Sequence, residues 1–131
     1  MTGTGLLVDT FTWIEIFKDT AWGNHAMKYI EKHSPVFISV LTLYELQCRL
    51  LEMYGDEKTS SLLETILVHT DAIPVDNLIA VRAGSINAEQ KRANSKMGAV
   101  DCMILATAQI HHLGLLAGDK HFYGLEESVI I

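Results

Sequence analysis

The sequence predicts a doubly wound α/β/α sandwich on a mainly parallel five-stranded sheet. Two observations carry that expectation: short apolar runs of strand length alternate with longer stretches of helical periodicity, and the runs are apolar at consecutive positions rather than at every second one. A strand that is apolar throughout is buried on both faces, as happens when helices cover both sides of a parallel sheet. The length of 131 residues suits one domain, taken as 1–131, large enough to bury about two-thirds of its unfolded surface without a disulfide or metal staple.

In chain order, the first run is Gly5 to Val8, followed by helices rich in Trp13, Ile14, Phe17 and Trp22, most of which read as core. The second run, Val36 to Val40, leads into a helical stripe of Leu43, Leu46, Leu50 and Met53. Ala72 to Val75 forms the third run, and Leu78, Val81, Ile86 and Ala93 mark a less strongly periodic helix after it. Ile104, Leu105, Ala108 and His112 mark the next helix, and Leu115 to Ala117 and Val129 to Ile131 complete the strands. Two prolines, no Ser/Gly-rich linker and no repeat leave no internal boundary.

Composition excludes several classes. With 49% hydrophobic and 20% charged residues the chain is globular rather than disordered. Ten Lys plus Arg against sixteen Asp plus Glu give a net charge of -6, so a polyanion would need local positive charge or a bound metal. Cys48 and Cys102 belong to no zinc-binding spacing and suit a reducing cytoplasm. With no basic residue before its short apolar stretch and Asp9 ending it, the N-terminal segment is expected to act neither as a secretory leader nor as a membrane span, and no membrane association is expected. There is no P-loop and no G-x-S-x-G elbow. A phosphoacceptor receiver fits worse, since it would need adjacent acids at the first strand together with a later strand-end Asp with a Lys, a combination that cannot be placed in this sequence.

In a doubly wound sheet ligands bind beyond the carboxyl ends of the strands. Asp9 directly follows the first run, Glu45 lies one helical turn beyond the second, Asp119 stands two residues past Ala117, and Asp101 begins the preceding helix. Each acid also has a structural reading. Thr12 with Glu15 makes a capping box for the first helix, better than Asp9 as a cap. Taken alone, Glu45 is accounted for by the Thr42-x-x-Glu45 pattern and by an ion pair with Arg49 four residues on. Asp101 complements the helix dipole but interrupts the apolar run Ala99 to Ala106, and Asp119 could be a turn residue with Gly118 supplying positive φ. Brought together, the four would repel and take up protons unless a cation neutralised them. Oxygen-only ligands select Mg²⁺ or Mn²⁺, which suits phosphodiester hydrolysis.

At these residues the sequence resembles the PIN-domain ribonucleases, most closely the VapC-type toxins of prokaryotic toxin-antitoxin pairs. Leu6-Leu7-Val8-Asp9-Thr10 is similar to the family's opening strand and first acid, and Ile38 through Leu46 to its second strand and Glu-bearing helix. Val100-Asp101-Cys102 with the Ile/Ala/Thr-rich stretch after it resembles the third acid's helix, and Leu115 through Phe122 the last strand, fourth acid and Asp-x-x-Phe. The resemblance implies a PIN-like fold and a Mg²⁺- or Mn²⁺-dependent endoribonuclease leaving a 5′-phosphate and a 3′-hydroxyl. Asp9 and Asp101 would be the main metal ligands, Asp119 would support them, Glu45 would complete the cluster, and Thr10 would orient the site. It further implies an RNA substrate, a homodimer, and a small cognate antitoxin covering the acids.

Two departures from the family pattern, Phe11 where Asn or Ser is common and Ala117 where Thr or Ser is common, motivate the alternative of a non-catalytic PIN-like scaffold that binds RNA or protein. Arg82, Lys91, Arg92 and Lys96 form the densest basic stretch, read either as an RNA contact or as a solvated helix face. No role is assigned to His111, His112 or His121.

Overall fold

The structure, a computed structural model, describes residues 5–118 and 128–129. The chain runs β1 (Leu6–Val8), α1 (Thr10–Phe17), α2 (Ala21–Lys32), β2 (Val36–Ser39), α3 (Val40–Tyr54), α4 (Asp56–His69), β3 (Asp71–Ile73), α5 (Asn77–Arg92), α6 (Ala99–Ile110), β4 (Gly114–Leu116) and β5 (Ser128–Val129). The strands form one sheet in the order β3-β2-β1-β4-β5, every pair parallel. The chain winds from β1 outward through β2 to β3, then returns to the other side of β1 for β4 and β5. The strand order therefore reverses between β1 and β4, where Leu6 is in register with Gly114 and Val8 with Leu116. That reversal opens a crevice at the carboxyl ends of the two central strands.

Strand periodicity divides the core into two layers. Leu6 and Val8 pack on one face of the sheet with Trp13, Ile14, Ile30, Leu46, Leu50 and Ile66, drawn from α1 to α4. Leu7 points to the other face, among Ile79, Ala83 and Ile86 of α5 and Cys102, Leu105 and Ala108 of α6. Leu7, Leu115 and Leu116 are fully buried, each contributing roughly 1.5–3 kcal/mol of apolar burial. The consecutive apolar pattern of the strands thus has its expected cause: both faces are covered.

Several local readings need correction. Helix α1 begins at Thr10 with Asp9 as N-cap, so Thr12 and Glu15 lie inside the helix and form no capping box. Glu15 instead accepts a hydrogen bond from the Thr20 hydroxyl at 2.8 Å, tying α1 to the start of α2. A Cβ at Gly23 would meet the Glu15 carbonyl oxygen at 2.2 Å, so only glycine lets these two helices approach so closely. Helix α3 is capped by Ser39, whose hydroxyl accepts from the Leu41 backbone N–H at 3.1 Å, which removes the capping role read for Thr42 and Glu45. On α5 the inward face is Ile79, Ala83 and Ile86, whereas Leu78 and Val81, read as part of the stripe, are exposed. His112 falls outside α6, in a positive-φ turn (φ 56). Gly118 is not among the positive-φ glycines; its requirement is spatial. A Cβ there would stand 2.5 Å from the Phe11 ring and 2.9 Å from Trp22.

Candidate active site

The site is built where the chain leaves β1. The Asp9 backbone N–H donates to the Leu116 carbonyl at 3.2 Å, extending the β1–β4 ladder by one residue. The chain then turns directly into α1, and Asp9 Oδ1 accepts the Thr12 backbone N–H at 2.9 Å. The Thr12 hydroxyl donates back to the Leu116 carbonyl at 3.3 Å, closing the junction. Asp9 is only 6% exposed, and its carboxylate occupies the positive end of α1, where a negative charge is stabilised by the helix dipole.

Glu45 arrives from the opposite wall, one residue before buried Leu46, on the α3 face that borders α1. Thr10 Oγ1 donates to Glu45 Oε1 at 2.5 Å, so consecutive residues of the β1–α1 junction hold the first acid and orient the second. The ion pair read between Glu45 and Arg49 is not formed among the described residues. Asp101 stands in the first turn of α6, partly buried, on a helix anchored by Cys102, Ile104 and Leu105. Burial, and after it the neighbouring Asp101 carboxylate, pushes the Cys102 thiol above its ordinary 9.0, which keeps it a protonated core residue rather than a nucleophile.

Asp9, Glu45 and Asp101 line a single open cavity of about 350 Å³, with Thr10 between the first two. The fourth candidate, Asp119, lies outside the described residues; the chain is described up to Gly118, whose backbone is packed beneath Phe11. Among the described residues no group of three or more His, Cys, Asp or Glu forms a metal-holding cluster. The acidic donors nevertheless have the chemistry of a hard-cation site: carboxylate oxygens from separate elements, around a cavity with room for water.

The remaining lining was not singled out as site from the sequence. Phe11, Tyr44, Cys48, Arg49 and Ile104 complete the cavity wall. The available signal was spacing, since Arg49 follows Glu45, and Cys48 follows Tyr44, by one helical turn. Phe11, noted as a departure from the family pattern, packs edge-on against Trp22 with centroids 5.5 Å apart. The Cys48 thiol, hydrogen-bonded to the Tyr44 hydroxyl, raises the Tyr44 phenol above its ordinary 10.0. The basic stretch of α5 does not reach the cavity. Arg82 Nε donates to Gln109 Oε1 at 2.6 Å and its guanidinium lies 3.5 Å from Glu89, tying α5 to α6. Lys91 and Arg92 fall in the last turn of α5, where cations complement the dipole. Among the described residues no helix is long and apolar enough to cross a membrane.

Comparison with known proteins agrees with this architecture. A search of curated protein sequences returns no match. Among solved structures, a toxin-antitoxin complex from Klebsiella pneumoniae is similar at 27% identity and TM-score 0.78, covering 95% of this chain and 96% of that one. DNA-bound VapBC from Salmonella typhimurium is similar at 22% identity and TM-score 0.80, covering 100% of this chain and 98% of that one. A sarcin-ricin loop cleaving toxin from Mycobacterium tuberculosis shares 17% identity at TM-score 0.77, covering 93% of this chain and 95% of that one. The PIN domain model matches residues 6–127. With that match running from the first core strand past the acidic crevice, the chain belongs to the PIN domain family.

Proposed function

We propose that the protein is a Mg²⁺- or Mn²⁺-dependent endoribonuclease and the toxin of a toxin-antitoxin pair. The observation that carries this reading is the convergence of Asp9, Glu45 and Asp101, from three separate elements, on one cavity at the strand-order reversal of a PIN fold. Asp9 and Asp101 would be the principal metal ligands, with Glu45 and Asp119 completing the acidic set. A bound Mg²⁺ or Mn²⁺ would neutralise these carboxylates, polarise the scissile phosphate and make an attacking water more acidic.

The chain's own residues prepare the ground for that chemistry. The Asp9 cap and the Thr10–Glu45 bond fix two acceptor groups before substrate arrives, so little reorganisation is needed at the moment of reaction. Phe11 and Ile104 form the apolar side of the cavity wall. Support for a toxin role comes from the toxin-antitoxin complexes among the similar structures and from the one described as cleaving the sarcin-ricin loop. We extend that to a small antitoxin partner covering the acids, a homodimer, and action on RNA in the cytoplasm.

The test is cleavage of a mixed panel of structured RNAs in Mn²⁺ by wild type, by Asp101→Asn, and by wild type with chelator. Discrete cuts that vanish in both controls are expected. An RNA panel left intact by wild type, together with no Mn²⁺ binding in calorimetry at millimolar metal, would overturn the nuclease in favour of a scaffold.

A further inference from the structure

The acids that suit a metal are poorly suited to hold RNA. A polyanion approaching a cavity lined by Asp9, Glu45 and Asp101, on a chain of net charge -6, is repelled everywhere except where a cation or an aromatic face offers a foothold. Helix α3 supplies both. Arg49 is the one basic residue among the described lining of this cavity, one turn beyond Glu45 on the same side of the helix. Its guanidinium is exposed and forms no ion pair or hydrogen bond with the described residues. An uncommitted guanidinium beside a carboxylate cavity can take a phosphate by its forked donors.

Tyr44, immediately before Glu45, is 67% exposed although it is large and aromatic. Its hydroxyl is bonded to the Cys48 thiol, also on the cavity wall. Nothing in the packing explains an aromatic at this position: the core face of α3 is Thr42, Leu46 and Leu50. An open ring at the mouth of a phosphate-cutting cavity is a platform on which an unpaired base can stack, because every base has a π-face. In a duplex that face is already covered by neighbouring bases.

We propose that Tyr44 and Arg49 form the substrate-reading rim of the site, Tyr44 stacking an unpaired ribonucleotide base next to the scissile bond and Arg49 holding a flanking phosphate. The inference rests on the nuclease reading above and names how that site engages RNA. It assigns Tyr44 and Arg49, on the cavity side of α3, to unpaired RNA in the antitoxin-free protein.

The experiment measures binding of a fluorescein-labelled RNA hairpin with an unpaired loop, and of the same stem as a full duplex, by anisotropy across a salt series. Each rim substitution is placed in an Asp101→Asn chain so that the RNA stays intact. Tyr44→Ala is expected to weaken hairpin binding about tenfold while leaving the duplex unchanged, and Tyr44→Phe to restore it, since the ring and not the hydroxyl stacks. Arg49→Ala should flatten the dependence of log affinity on log salt by about 0.7, the value for one single-strand phosphate, and Arg49→Lys should retain the slope. A purely structural role for either residue would move neither readout. Equal hairpin binding by all four variants, or no RNA binding by the parent chain, overturns the rim. If wild type cuts RNA while the rim variants bind normally, the nuclease reading survives and only the rim falls. If Asp101→Asn still cuts, the nuclease assignment itself is what fails.

Discussion

Two junctions bring acids to the same cavity by different means. At the end of β1, Asp9 is fixed by the fold: its backbone prolongs the sheet, its carboxylate caps α1, and it is buried. Glu45 sits partway along α3, partly exposed, and is tethered by the hydroxyl of Thr10. The first acid is therefore part of the fold as well as of the cavity wall, whereas the second is a long side chain aimed by one neighbour. The difference predicts which substitutions separate activity from stability.

The largest effect is expected at Asp9. Asp9→Asn should cut RNA cleavage by about a thousandfold or more, comparable with removing a group aligned on transition-state charge, while a thermal melt stays near wild type because Asn also caps helices well. Asp9→Ala should lose the same activity and also about 1 kcal/mol of stability from the lost cap. Equal melts for the two variants would break the comparison, because the Thr12 N–H bond would then carry no stability.

Glu45 gives the converse. Glu45→Gln should lower cleavage by about a hundredfold with little change in the urea midpoint, since Ser39 and not Glu45 caps α3. Thr10→Val keeps the shape of the side chain but frees Glu45. A loss of about tenfold to a hundredfold in kcat/KM is expected, as for residues that orient a ligand without being one. If Thr10→Val equals wild type, Glu45 is held by something other than that hydroxyl.

The same contrast explains how much could be read from the sequence. Apolar runs without alternation gave the layers, because burial on both faces leaves a pattern that no local competitor imitates. The acids were legible by position, since Asp9 and Asp101 sit where a strand ends and where a helix begins. Capping was not: Thr12–Glu15 and Thr42–Glu45 both fit a capping box, yet the helices start two or three residues earlier, at the strand ends, where Asp9 and Ser39 already satisfy backbone donors. The outward Leu78 and Val81 were misread because the periodicity of α5 is weak and tertiary packing chose Ile79, Ala83 and Ile86. Helix α4 was missed for a related reason: of its apolar residues Ile66 is buried while Leu67 and Val68 face solvent. Tyr44 and Arg49 showed no signal by type, only by their distance along α3 from Glu45.

The smallest effect concerns the third approach to the cavity, at Gly118. Phe11 is a departure from the family pattern, and the structure shows what accompanies it: the ring leans on Trp22 and occupies the space that a Cβ at residue 118 would need. Gly118→Ala must push Phe11 aside or shift the backbone that leads to Asp119. Overpacking of this kind costs about 1–3 kcal/mol, so the melting midpoint should fall by a few degrees. Because the closer of the two clashes is with Phe11 and the other with Trp22, Phe11→Leu in the Gly118→Ala background should recover part of the lost stability, giving a favourable coupling of about 1 kcal/mol in a double-mutant cycle. Additive losses would mean that the glycine is needed for its backbone and not for the ring, and would detach Phe11 from the shaping of this wall. Favourable coupling would instead tie the aromatic at residue 11 to the glycine at 118, two positions 107 apart in sequence that meet only because β1 and β4 are neighbours in the sheet.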